Sequence, residues 1–565
     1  MAANEVKKGK PGKRARDRSV FRRVELVAPE GRCPYCGEPL DIFQWRERAF
    51  QSLSGPTWLV RKDRRCRGYK ICPGPETAYR PVEEDVLLLK RREYGLDVVC
   101  FIGEGYLRDS ESLPLLHKEL TKERGVLISP RHMSNLLRLF LALMNCRDGD
   151  SEVVRERLRE QGRLVLAIDA VRFDDVTPRL YVIRDVVSGE FLYGERIDQA
   201  DTAALVECLS RVKAIGVPVV GVITDGERAL ATAAAQVFPE APHQLCQVHY
   251  LGKLVSKQME SDLATLETQV REVVQQVKTL ETRLKEPKPA RREGTEAQTG
   301  STGQADSADP NEQEVAQALC HVVKTVGKSR GDKLTNPAAV KRYFALIEAA
   351  EAVRQSCAQK LEGGEWPVVA RLLALLLALT AWGELARRLQ RQVGVVRRIA
   401  HILHSEASGR QVKRLLRTYL NRLEREAPQR GRGAPRGRFI RHVLAVSSRW
   451  WKGLFACYDH PDLPSNNNDL ERFLGAIKRQ QRRVHGRKST AGGPLEGCAP
   501  SLLAAWSRID EYPDLVAALA EIPEDKLQAV RDELQRLEAP SRRRRSIARD
   551  PNGYLRRILD RLEHA

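Results

Sequence analysis

Three acids and four cysteines stand where metal chemistry could be done. Asp169 closes the apolar run LVLAIDA (164–170), and Asp225 closes PVVGVITDG (218–226). Strand ends of this kind open onto the crevice of an α/β sheet. Two carboxylates meeting there would offer hard oxygen ligands to Mg²⁺ or Mn²⁺. Either Asp alone is also explained by turn chemistry. Glu471 supplies a third acid. Asn466-Asn467-Asn468 can cap a helix reading DLERFLGAIKRQQRR. Leu470, Phe473, Leu474 and Ile477 recur at helical spacing and should pack inward. Glu471, Gly475, Lys478 and Arg482 then form the adjoining stripe: an acid, a gap and two cations, a pattern that suits a phosphodiester lying along the helix. Asp174, Asp175 and Asp469 stand close enough in sequence to be alternative acids.

The cysteines are Cys33-Pro-Tyr-Cys36 and Cys66-Arg-Gly-Tyr-Lys-Ile-Cys72. A C-x-x-C turn presents two thiolates on one knuckle, and zinc takes four such ligands in a tetrahedron. The second pair is spaced more widely than usual. The stretch between the pairs carries Trp45, Phe50 and Trp58 but few aliphatics, so it would hardly form a core without a metal staple. Two pairs of free thiols are the plain alternative.

The elements that must position these residues follow from patterning. Residues 1–24 form a basic, disordered arm, and 25–82 a zinc-ribbon-like module. Residues 83–150 read as helices: Gly125 stops one, and Ser129-Pro130 caps and opens the next. That outline fits a helix-turn-helix with Arg131, His132, Asn135 and Arg138 facing DNA, although any small helical bundle gives the same pattern. Residues 160–250 follow the order β-β-β-α-β-α-β, with HQLCQVHY (243–250) as the fifth strand, which makes a mixed α/β sheet. Residues 251–460 are a helical stretch with a flexible linker at 288–314. The motif-bearing helix falls within 461–500, and 501–565 is a helical basic tail.

Composition narrows the class. With 565 residues, three or four domains are expected. A hydrophobic share of 42% excludes a wholly disordered chain. The formal charge of +21 calls for a polyanionic partner. The most apolar stretch, 368–382, is shorter than a membrane span and contains Arg371, so no membrane role is expected. The basic N-terminus lacks the apolar segment of a secretory signal, and the scattered cysteines fit a reducing compartment.

The blocks AIDA, ITDGERAL…FPEAPHQLCQVHY and NNNDLERFLGAIKRQQRRVHGRKS resemble the signatures of DDE transposases of bacterial insertion sequences. The subgroup is Mutator-like, and Cys246-Gln-Val-His249 matches its C-x-x-H signature after the second Asp. The resemblance covers 163–250 and 460–490. It implies an RNase H-like catalytic domain interrupted by a helical insertion, behind a zinc module and a helix-turn-helix. It makes Asp169, Asp225 and Glu471 a triad for two Mg²⁺ or Mn²⁺ ions, Asp169 bridging both. Cys246 and His249 become active-site support without a metal.

It further implies Mg-dependent DNA cleavage and strand transfer at the element's terminal repeats, read by the N-terminal modules. Lys478, Arg482, Arg483 and Arg487 would contact backbone phosphates. Double-stranded DNA is then the partner, the enzyme works as a homodimer or larger, and its place is the prokaryotic cytoplasm at the nucleoid. Two alternatives stand beside this reading: a catalytically silent DNA-binding regulator derived from a transposase, and an RNase H-fold nuclease for branched duplexes.

Overall fold

The computed structural model describes residues 20–74, 78–89, 92–149, 152–171, 179–197, 201–285, 309–332, 334–427, 434–486, 495, 498–523 and 525–563. Arg487, Asp174, Asp175 and residues 1–19 of the basic arm lie outside the described residues, as does most of the expected linker. The end of the arm is not disordered: Arg22, Arg23 and Val24 open a strand, Arg22–Val27. The chain forms two compact units. The first comprises Met1–Val222, Ala229–Ala241 and Asn468–Ala565, and the second Ile223–Arg228 with Pro242–Asn467.

The first unit begins with a small sheet of β1 (Arg22–Val27), β2 (Leu40–Ser52), β3 (Gly55–Cys66) and β4 (Ala78–Tyr79). Strand order is β1-β3-β2, with β4 on β3. β2 and β3 pair antiparallel from Leu40↔Cys66 to Ser52↔Gly55, so only Leu53 and Ser54 make the turn. Gly55 closes it at φ +92°, a conformation open to glycine. The cores are thin: Cys33, Leu40 and Cys66 form one cluster, and Phe50, Leu59 and Leu88 another.

Five helices follow: α1 (Glu83–Leu87), α2 (Leu96–Leu107), α3 (Leu113–Lys118), α4 (Pro130–Gly149) and α5 (Glu152–Gln161). Gly125, at φ +67°, stands between α3 and α4 as expected. The helix-turn-helix outline is present in its coarser form, a helix, a connection and a second helix. α3 runs straight on through a wider helical turn, Glu119–Glu123, so residues 124–129, six against the three or four of that motif, separate it from α4. Leu139 to Met144 are six consecutive residues of α4, each at most 2% exposed. That C-terminal half of α4 is enclosed and cannot lie along a DNA groove. The exposed part of α4 is the first turn, with Arg131 and His132, whereas Asn135 and Arg138 are half-buried.

The α/β layer has the order read from the sequence: β5 (Leu164–Val171), β6 (Arg179–Asp185), β7 (Phe191–Ile197), α6 (Thr202–Lys213), β8 (Val219–Thr224), α7 (Arg228–Val237) and β9 (His243–Leu245). β5–β6 and β6–β7 are antiparallel, and the strand order within the first unit is β7-β6-β5-β8. β8 passes out of the first unit after Val222, and its end pairs with β9 inside the second. Leu164, Leu166 and Ile168 of β5 are fully buried. Each contributes about 1.5–3 kcal/mol, which fixes the register that sets Asp169 opposite Val182.

The fifth strand is shorter than expected. It ends at Leu245, and a helix, α8 (Gln247–Leu254), starts two residues later. The second unit continues through α9 (Lys257–Lys285), α10 (Pro310–Lys328), α11 (Ala338–Ser356), α12 (Ala358–Glu362), α13 (Pro367–Leu377), α14 (Gly383–Leu403), α15 (Gly409–Arg425) and α16 (Ala434–Trp450). α10 begins inside the stretch read as linker, with the Asp309 side chain capping the Asn311 amide at 2.9 Å. The helical run Pro367–Leu403 is apolar enough, by length and composition, to cross a membrane. It is longer than the apolar segment seen in the sequence because α13 continues through a 3₁₀ turn into α14. Its Val369, Leu372, Leu376, Leu389 and Val396 belong to the core of the helical unit, the ordinary place of such a helix in a globular domain.

The first unit closes with α17 (Asn468–His485), α18 (Ala499–Arg508), α19 (Leu515–Ala520), α20 (Lys526–Arg549) and α21 (Pro551–Glu563). α17 packs on β5, and α18, α19 and α20 pack on α4.

Candidate active site

Asp225 is the first residue after β8 and begins a turn built for one conformation. Its Oδ1 accepts the Glu227 amide at 2.9 Å. Gly226 follows at φ +84°, and a Cβ there would meet the Trp450 ring at 2.5 Å. Trp450 is buried beside Tyr250, whose hydroxyl pairs with Ser447 at 2.7 Å. Thr224, just before the turn, shares a hydrogen bond of 2.9 Å with His243 on β9. Burial holds the His243 imidazole at about 4, so this link between strands is made by a neutral ring.

Cys246 is fully buried at the start of α8. Its amide donates to the Thr224 carbonyl at 2.8 Å. Its Sγ accepts the amide of Asn467 at 3.4 Å, and the Gln247 amide donates to the Ser465 carbonyl at 2.9 Å. The C-x-x-H segment therefore grips residues 465–467, which lead into α17. His249 lies on the first turn of α8, three residues on, rather than on a strand.

On α17, Leu470, Leu474 and Ile477 are buried and Phe473 is half-buried, the inward stripe read from the sequence. Glu471 is exposed. Asp469 is ion-paired with Arg184 of β6. Arg184 is itself fixed: its Nε donates to the Gly189 carbonyl at 2.6 Å, and its guanidinium lies 4.9 Å from the Phe473 ring centre. Asp469 is thus engaged in tying the first turn of α17 to β6.

Asp169 stands two residues before the end of β5 and accepts the Ala170 amide at 2.8 Å. Lys478 is half-buried within its electrostatic reach. Desolvation lowers the Lys478 pKa, Asp169 pushes it up and Arg482 pushes it down. Arg482 and Arg483 are exposed one turn on. The far end of α17 is anchored by Tyr106 of α2. The Tyr106 hydroxyl donates to Gln481 Oε1 at 2.9 Å and meets His485 at 2.5 Å, and Gln480 donates to the Tyr106 carbonyl at 2.6 Å. Sequence reasoning missed Arg184, His243, Trp450 and Tyr106. The Asp-Gly pair at 225–226 signalled the turn, but nothing local signalled those partners.

The four cysteines form one group: Cys33, Cys36, Cys66 and Cys72 have sulfurs within 4.8 Å of one another. Among the described residues, no other set of three or more His, Cys, Asp or Glu side chains comes together this way. Cys33–Cys72 is 3.7 Å and Cys36–Cys66 is 3.3 Å. A tetrahedron with ~2.3 Å bonds needs sulfurs ~3.8 Å apart, so the set fits a four-thiolate metal. The Tyr79 hydroxyl, 3.4 Å from Cys33, brings that thiol down to about 6, and burial pushes Cys66 up to about 12.

Residues 192–288 match the family model "Transposase, Mutator family". The chain is similar to Mutator-like insertion-sequence transposases. The matched stretch contains Asp225, Cys246 and His249, and Asp169 and Glu471 lie outside it. No curated protein matches the chain.

Proposed function

We propose that the protein is a DNA transposase that binds the terminal repeats of its element and catalyses strand cleavage and strand transfer. The observation that carries this reading is the order of parts: an apolar strand bearing Asp169, the Asp225-Gly226 turn, Cys246-x-x-His249, a long helical insertion, and Glu471 on a cationic helix. The Mutator-family match over 192–288 supports its middle portion. The α/β layer is read as RNase H-like on the same grounds.

Asp169, Asp225 and Glu471 are the proposed acids. Their carboxylates are the hard oxygen donors that Mg²⁺ or Mn²⁺ takes. Held by these three residues, such ions would supply activation of the attacking oxygen and charge stabilisation at the leaving one. The Asx turn after Asp225 and the Ala170 amide on Asp169 each lock one carboxylate oxygen. Glu471 is the third acid of this reading by its place in the Asn468-Asp-Leu-Glu471 block, and Asp469, ion-paired with Arg184, is the alternative. Cys246 positions the entry of α17 through the Asn467 amide. Lys478, Arg482 and Arg483 contact backbone phosphates, with Arg487 added by its place in the sequence.

The four-cysteine group binds structural zinc and keeps the β module folded. DNA contact by the helical region falls on the N-terminal half of α4, at exposed Arg131 with half-buried Asn135 and Arg138 beside it. The enzyme acts as a homodimer or larger on double-stranded DNA, in the prokaryotic cytoplasm.

The test is cleavage and joining of labelled DNA carrying the flanking inverted repeats, with Mg²⁺ or Mn²⁺, comparing wild type with Glu471→Gln. Metal-dependent cleavage that falls at least ~1,000-fold in the variant, with the exposed site keeping stability within ~0.5 kcal/mol, supports the reading. Binding without cleavage by the wild type would replace it with the regulator.

A further inference from the structure

The cationic charge of this chain is concentrated. Residues 383–450 contain 17 Lys and Arg against 4 Asp and Glu, a net +13 out of +21 for the whole protein. This segment is α14, α15 and α16 of the second unit, far in sequence from Lys478, Arg482 and Arg131. Uncompensated like charge at this density opposes compaction unless a polyanion takes it up.

The charge also has a shape. A groove of about 1150 Å³ runs between the three helices. Arg387, Arg388 and Arg391 of α14, Arg422 of α15 and Arg436 of α16 line it, together with Glu384 and Glu426. Tyr419 stands in the middle, and Arg398, Arg422 and Arg436 all bear on its hydroxyl. Glu426 and Asp262 account for part of the charge: Arg388 pairs with Asp262, and Arg422 and Arg436 pair with Glu426. Arg387, Arg391 and Arg398 are exposed and make no ion pair among the described residues. They lie at i, i+4 and i+11 on one side of α14, spanning roughly 16 Å of helix axis. Duplex DNA carries one charge per ~1.7 Å of axis, so several phosphates fall within that span.

We infer that this groove is a second DNA-binding surface, which takes the phosphate backbone of duplex DNA without reading its sequence. The inference rests on the transposase reading only for its substrate. An anionic membrane is a poorer fit. Membrane binding by an amphipathic helix needs an apolar face to insert, and α15 spends its apolar face on the core, with Val412, Leu416, Leu420 and Leu423 all buried.

The experiment measures binding of the full chain to a random-sequence duplex over a salt series. Wild type is compared with a triple variant, Arg387→Gln, Arg391→Gln and Arg398→Gln. The expected result is a slope of log affinity against log salt shallower by about 2 to 3, and affinity near 0.1 M salt lower by about a hundredfold. A triple Arg→Lys variant at the same positions should keep the slope. A control removing the same charge from the exposed Arg271, Arg283 and Arg354 of α9 and α11 should leave binding unchanged. Equal losses in test and control would make net charge the cause and overturn the proposal. So would an unchanged slope in the test variant, or a loss seen on phosphatidylserine vesicles and not on the duplex. If the wild type binds no duplex at all, the transposase reading fails too. If it binds and the triple variant binds equally, only this surface fails.

Discussion

The cysteine module and the acid-bearing sheet both present candidate metal ligands, but they are assembled by opposite means. Cys33 and Cys72 are 39 positions apart and meet within one small sheet. The contacts that frame the acids join Cys246 to Asn467 across 221 positions and Arg184 to Asp469 across 285. Loop-closure entropy grows only logarithmically, so the longer closures cost about 2 kcal/mol more. The real difference lies in what holds each region. Among the described residues, the cysteine cluster buries only Cys33, Leu40 and Cys66, whereas the core under β5, β6 and β8 buries 19 residues. On the proposed reading, the first region would depend on a bound metal for its fold, and the second would present its acids on a fold that stands without one.

The largest expected effect would break this contrast if it failed. Cys66→Ser should abolish zinc content and unfold residues 20–80, since apparent structural zinc binding in small modules is about 10–16 kcal/mol. Limited proteolysis should then cut that region while the α/β layer stays resistant. A variant that lost zinc and kept the module folded would show that the thin cores suffice alone.

A smaller effect concerns pH and the sheet. His243 titrates at about 4 when folded and near 6.5 when unfolded, so the unfolded chain binds the extra proton first. Its contribution is fully present above pH 6.5 and is lost as pH falls towards 4, at most about 3 kcal/mol. The unfolding temperature should therefore fall as pH drops through that window, and His243→Gln should flatten the slope. An unchanged slope would mean the β8–β9 link is not made by a neutral imidazole.

The smallest effect on stability should come from Arg184. Its partner Asp469 is 62% exposed, so breaking the pair costs up to about 1 kcal/mol. If the pair positions α17, Arg184→Gln should still lower the cleavage rate about tenfold at unchanged DNA affinity. The reversed pair, Arg184→Asp with Asp469→Arg, should recover part of it. Should Asp469→Asn abolish cleavage as fully as Glu471→Gln, the third acid would have to be reassigned to Asp469.

Much of the chain was legible before any coordinates. The β-β-β-α-β-α-β order, the inward stripe of α17 and the Asp-Gly turn follow from period and turn chemistry, which act between near neighbours. The cysteine grouping was legible for the same reason, two short-range pairs in a stretch with little else to bury. Tertiary structure alone decided that β9 stops at Leu245 and frees Cys246 to cap a helix, since HQLCQVHY alternates well enough for either state. It also decided that the C-terminal half of α4 is enclosed. An apolar run says that a helix is buried, but not which helices from the far end of the chain will cover it. Arg184 and Asp469 carry no mark of each other in the sequence. Charge pairs across 285 positions are chosen by which elements the packed cores bring side by side, and that information exists only in the folded chain.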